Sequence, residues 1–171
     1  MPTLILALLA ASLTLAQQPK AADVARIACD VPPVEYVGEL RNILSYRAVE
    51  AISLAAAWDG KPAAKLQRLI DPTALFSSGG RDVRLPLASG VAGAIALARE
   101  MKADTYRFVG WDGIPTPVQD RCGEQKIEVE FIDTSGGNLF PVIFTFNGGR
   151  IISANGWRHT YRSGPMTVGR D

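Results

Sequence analysis

The hydrophobic period changes once along this chain, near residue 103, and that change limits the fold more than any single motif. Before it, apolar residues recur every three or four positions. Val37, Leu40, Leu44, Ala48, Ala51 and Ala55 form one such stripe, which predicts a long amphipathic helix over 34–58. After it the period is two. Phe140, Val142, Phe144 and Phe146 alternate with other residues, as do Ile127, Val129 and Phe131, and this pattern predicts strands. Helices followed by a run of strands make an α+β domain with its helices on one face of a sheet.

Punctuation residues divide these stretches. Pro32-Pro33 supply a helix start. Asp59-Gly60 followed by Pro62 stops the first helix, and a short second helix is expected over 62–70, ended by Asp71-Pro72. A brief strand at 75–78 turns at Gly79-Gly80. Ser89 stands where it can cap a third helix over 90–102. Strands are then expected at 106–111, 126–133, 139–146 and 150–162. Ser135-Gly136-Gly137-Asn138 and Asn147-Gly148-Gly149 are hairpin turns, because Gly and Asn accept the positive φ of tight reversals. Asn155-Gly156 reads as a bulge or as a break between two short strands.

With 171 residues the chain is one domain. Eighteen Lys and Arg stand against seventeen Asp and Glu, a balance with no footprint for nucleic acid. One His and two Cys are too few for a conventional zinc site, and no metal is expected. Ser77-Ser78-Gly79-Gly80 lacks the lysine and following helix of a phosphate loop. No Gly-x-Ser-x-Gly elbow is present for a hydrolase, and no cofactor is expected.

Residues 4–16 form an uncharged apolar run of 13 residues. It is too short for a bilayer span of about 20 residues but suits a secretory signal, with Ala16 at the cleavage position. Arg26, three residues before Cys29, argues against a lipobox. The expected organisation is a signal peptide over 1–16, a leader over 17–32, the domain over 33–162 and a tail over 163–171. A periplasmic or secreted location follows, with no membrane anchor after cleavage. In an oxidising compartment, Cys29 and Cys122 are expected to form one disulfide.

The segment 55–66, Ala-Ala-Ala-Trp-Asp-Gly-Lys-Pro-Ala-Ala-Lys-Leu, resembles the first-helix end, tight turn and second helix of the NTF2-like superfamily, the SnoaL-like and ketosteroid-isomerase-like cone folds. Asp71-Pro72-Thr73-Ala74 matches the acidic turn before that family's first strand, and 147–152 resembles its last hairpin. The resemblance rests on the order of elements over 33–162. It implies three N-terminal helices packed on a strongly curved antiparallel sheet, a largely apolar pocket in the cone and homodimers through the sheet. The family's isomerases use a Tyr on the first helix, an Asp after the first strand and an Asp on the penultimate strand. Those positions fall near Ser53, Ser77 and Val142, and none carries the required chemistry.

The remaining candidates are few. His159 titrates near neutrality and is the obvious general base, with Tyr161 or Asp112 assisting. Trp58, Trp111, Phe144 and Trp157 are expected to wall a pocket for a small apolar ligand. Glu128 and Glu130 read as a solvated sheet face, which Arg150, Arg158 and Arg162 could meet across strands, unless those arginines bind an anionic ligand. The leading expectation is an exported, non-catalytic small-molecule-binding or accessory protein. Two alternatives stay open. One is a proton-transfer enzyme of isomerase, dehydratase or cyclase type using His159, and the other is an interaction module working through the sheet face.

Overall fold

The computed structural model of the chain describes residues 28–61, 63–80, 82–109 and 115–160. The apolar run at 4–16, the leader to residue 27 and the tail lie outside them, as do Trp111, Asp112, Tyr161 and Arg162.

The long helix α1, Val37–Ala56, forms from the apolar stripe read in the sequence. It buries Leu40, Leu44, Ala48, Ala51, Ile52 and Ala55. A short α2, Ala64–Leu69, passes directly into β1, Ile70–Gly79, and β2, Arg84–Ser89, pairs back on it. Helix α3, Gly90–Met101, comes only after these two strands. The expected block of three N-terminal helices is therefore wrong in order, because the third helix follows the first hairpin. Strand β2 was not anticipated, since Arg-Leu-Pro-Leu-Ala-Ser has a proline in its middle and no β-branched or aromatic residue. Ser89 occupies the N-cap position of α3 without a side-chain cap bond.

Strands β3 (Thr105–Phe108), β4 (Gln125–Asp133), β5 (Asn138–Asn147), β6 (Arg150–Gly156) and β7 (His159–Thr160) follow. The last predicted strand is thus two, separated at Trp157-Arg158. The sheet of seven strands runs β2-β1-β6-β5-β4-β3, with β7 paired to the far end of β5. It is mixed where an antiparallel sheet was expected, because β1 lies parallel to β6. A parallel pair needs a long crossover, and the chain from α3 through β5 provides it.

The helices cover one face. Phe140, Val142, Phe144 and Phe146 of β5 and Val129 of β4 are buried there against Leu44, Leu97 and Met101 in one hydrophobic cluster. A register shift at Thr145/Phe146 places Ile151 and Ala154, three positions apart, on this same face. Helix α3 presses close. A Cβ on Gly93 would stand 2.0 Å from the Ala88 carbonyl oxygen and 2.7 Å from the Phe76 ring, so only glycine fits.

Cys29 and Cys122 are disulfide-bonded, with Cα atoms 5.4 Å apart across a separation of 93 residues. The bridge joins a backbone clasp. Asp30 N–H donates to the Gly148 carbonyl at 2.9 Å, and Gly148 N–H donates to the Cys122 carbonyl at 2.8 Å. Arg47 of α1 donates to the Gly149 carbonyl at 2.8 Å and to the Asp30 carbonyl. The segment before α1 is thereby tied to the β5–β6 hairpin.

Candidate functional site

The face of the sheet turned away from the helices carries an open trough of about 600 Å³, within the roughly 300–1,000 Å³ of ligand pockets. Its floor comes from strand alternation, which sends every second residue of β4, β5, β6 and β1 to this side. Thr145 pairs with Lys126 and with Ser153, and Ser153 with Leu75. One step along, Asn155 lies between Ile143 and Ser77, and Ser77 pairs with Pro86. The β1–β2 hairpin adds Arg84, Pro86 and Leu87. Arg84 pairs with Gly79, whose φ of +110° and close approach to Leu85, 2.9 Å from any added Cβ, require glycine.

Aliphatic and neutral polar side chains share the floor, with Lys126 and Arg84 as its cations. Ser77 Oγ donates to Asn155 Oδ1 at 2.7 Å, and Asn155 Nδ2 reaches the Gly80 carbonyl at 3.4 Å. Asn155 and Thr145 are buried, whereas Leu75 is 67% exposed. Among the described residues no carboxylate and no imidazole lines the trough.

The residues singled out in the sequence lie elsewhere. His159 is exposed on β7, and its Nε2 accepts from Trp157 Nε1–H at 2.6 Å. The break at Trp157-Arg158 ends the alternation that had grouped them, although this contact keeps the two rings together. Trp157 is buried. Trp58 is half-buried in its turn, donating Nε1–H to the Lys61 carbonyl at 2.9 Å. Phe144 is wholly enclosed, its ring between those of Phe131 and Phe146. Among the described residues, then, His159 and Trp157 meet, whereas Trp58 and Phe144 stand apart in a turn and in the core. Tyr161, Asp112 and Trp111 lie outside the described residues.

The arginines take other partners than the glutamates. Arg158 lies 5.1 Å over the Phe140 ring and donates to the Glu100 carbonyl. Arg150 donates to the Gln67 and Ile70 carbonyls. Glu130 pairs instead with Arg107 of the neighbouring strand. Ser53, at the family's tyrosine position, lines a cleft of about 170 Å³ with Asp104 and Tyr106. Val142 is core.

Sequence reasoning missed the trough. Its one legible signal was the run of non-aromatic residues opposite the phenylalanine stripe, Ile143 and Thr145. Asn155 had been read only as punctuation.

Among the described residues three carboxylates are held below their ordinary range, each by local donors. Asp133 accepts from the Asn138 amide, Gly136 N–H and Ser135 hydroxyl. Asp71 accepts from the Thr73 hydroxyl and N–H. Asp59 accepts from Lys61 N–H and pairs with its ammonium. All three are turn devices, and none lines the trough. Among the described residues no cluster of His, Cys, Asp or Glu could hold a metal ion.

No protein-family model matches the chain, and no curated protein matches it in sequence. Solved structures resemble it in shape. An NTF-2 like protein of unknown function from Burkholderia xenovorans LB400 is 14% identical, with 77% of this chain and 98% of that chain covered and a TM-score of 0.42. One from Silicibacter pomeroyi DSS-3 is 17% identical over 69% and 96%, with a TM-score of 0.43. One from Methylobacillus flagellatus KT is 12% identical over 77% and 98%, with a TM-score of 0.42.

Proposed function

We propose that this chain is an exported, non-catalytic binding protein that holds a small molecule in the trough on the open face of its sheet. The lining carries this reading. Hydroxyls, one amide, aliphatic side chains and two cations can fix a ligand, but proton transfer needs a group that exchanges a proton near neutral pH. His159 has that chemistry, yet it is not among the lining residues, and its described partner is an indole N–H instead of an acid. The proton-transfer alternative is weaker for the same reason. Export is supported by the apolar run at 4–16 and by the Cys29–Cys122 pairing, which suits an oxidising compartment.

The test begins with the full chain expressed with its leader. Periplasmic protein is collected and its intact mass under native conditions reports any co-purifying molecule. Ser153→Trp, which puts an indole on the trough floor, is expected to abolish binding of that molecule, and His159→Ala to leave it unchanged. Binding that survives Ser153→Trp and disappears in His159→Ala overturns the reading.

A further inference from the structure

The trough's polar groups form a line, not a scatter. Taken in register they run diagonally from Lys126 on β4 through Thr145 on β5, Ser153 and Asn155 on β6 and Ser77 on β1 to Arg84 on β2, two residues from the Pro86 that faces Ser77. Four inter-strand steps of about 4.8 Å cover roughly 19 Å on a flat sheet, the length of five or six extended residues at about 3.3 Å each. Ile143 flanks the line on one side, and Leu75 and Pro86 on the other.

From this geometry we infer that the trough's ligand is a short extended peptide with an acidic group at the end over Arg84. The inference rests on the trough being the binding site. Ser77 and Asn155 hold each other, but an elongated hydrocarbon would lie over the Thr145 and Ser153 hydroxyls without offering either a partner. A peptide backbone offers a donor and an acceptor at every residue, which matches hydroxyls able to do both. Its side chains would lie on Ile143, Leu75 and Pro86.

The two ends of the line differ in charge. Lys126 pairs with Glu124 at 3.5 Å, and Glu128 follows two residues on along the same strand face, so that end is already neutralised. Arg84 has no ion pair among the described residues, and its cross-strand neighbour Gly79 has no side chain to cover it. A guanidinium takes a carboxylate through paired N–H donors. Either a terminal carboxylate or an Asp or Glu side chain supplies that chemistry.

The experiment follows backbone amide NMR shifts of the full, disulfide-intact chain with three acetylated pentapeptides of sequence Ala-Ser-Ala-Ser-Xaa. The first ends in Ala with a free carboxylate, the second in Asp with an amidated terminus, and the third in amidated Ala. The acidic forms are expected to shift Ser77, Thr145, Ser153 and Asn155 and to bind about three- to tenfold tighter than the neutral one. Preference for one acidic form identifies which carboxylate the site takes. The gap is expected to narrow with added salt, to vanish in Arg84→Gln and to persist in Arg84→Lys and Lys126→Gln. Equal binding of all three peptides, or a gap that survives Arg84→Gln, overturns the acidic preference while leaving the trough in place. Absence of shifts in the trough with every peptide overturns the peptide inference, and the Ser153→Trp measurement judges the trough separately.

Discussion

Strand β5 separates two environments with residues one position apart. Phe140, Val142, Phe144 and Phe146 point into the helix side and are sealed, while Ile143 and Thr145 line the open trough. The same strand thus serves as core on one side and as floor on the other. The difference comes from what covers each face. Helices α1 and α3 bring Leu44, Leu97 and Met101 onto the first, and apolar volume collects where it can be covered. Among the described residues the β1–β2 hairpin flanks the second face, whose floor mixes the bonded Ser77–Asn155 pair with hydroxyls and aliphatic side chains.

Three measurements sharpen or break this contrast. The largest effect is expected at the clasp that ties the segment before α1 to the β5–β6 hairpin. Replacing Cys29 and Cys122 by Ser together frees a loop spanning 93 residues, which in the chain-entropy model costs about 4–5 kcal/mol. Urea unfolding of the two proteins checks it. A loss below about 1 kcal/mol would show that the hydrogen bonds of Asp30, Gly148 and Arg47 hold the clasp alone.

The next compares the faces directly. Phe144→Ala empties a fully buried site and is expected to cost about 3–5 kcal/mol. Ile143→Ala, one residue away on the half-buried side, is expected to cost less than half as much and to weaken trough binding instead. Equal losses of stability would mean that the open face is a second core and the contrast is false.

The smallest effect lies where the buried face of β4 ends, at Asp133. Its carboxyl is held below the ordinary range by Asn138, Gly136 and Ser135. A depressed folded pKa adds stability above the unfolded value, about 3.9, and this is lost as pH falls through the folded one. Asp133→Asn is therefore expected to flatten the fall of the urea midpoint between roughly pH 5 and pH 2. Asp59 and Asp71 retain their share of that fall. An unchanged slope would remove Asp133 from the acid response.

Much of the architecture was legible before any coordinates. Local periods found α1, β4 and β5 within a few residues, since amphipathic faces repeat at short range, and the Ser89 cap position marked α3. β2 escaped because its residues Leu85, Pro86 and Ala88 stay largely exposed and none of its side chains is β-branched or aromatic. The candidate site was hardly legible. His159, Trp58, Phe144 and Trp157 were chosen for their chemistry, but chemistry does not say which side of a sheet a residue faces once a bulge or a break resets the alternation, as happens at Thr145/Phe146 and at Trp157-Arg158.

By itself the sequence determined the kinds of element, the turns between them and the one cysteine pair, because those depend on period, on backbone freedom and on there being no third cysteine. Only the tertiary structure decided that β1 would lie parallel to β6 and that α3 would follow the first hairpin. It also decided that Ser77, Arg84, Lys126, Thr145, Ser153 and Asn155 would share one trough. Register between strands some seventy residues apart is fixed by the packing of the whole core against its helices, and no local pattern in the chain records it.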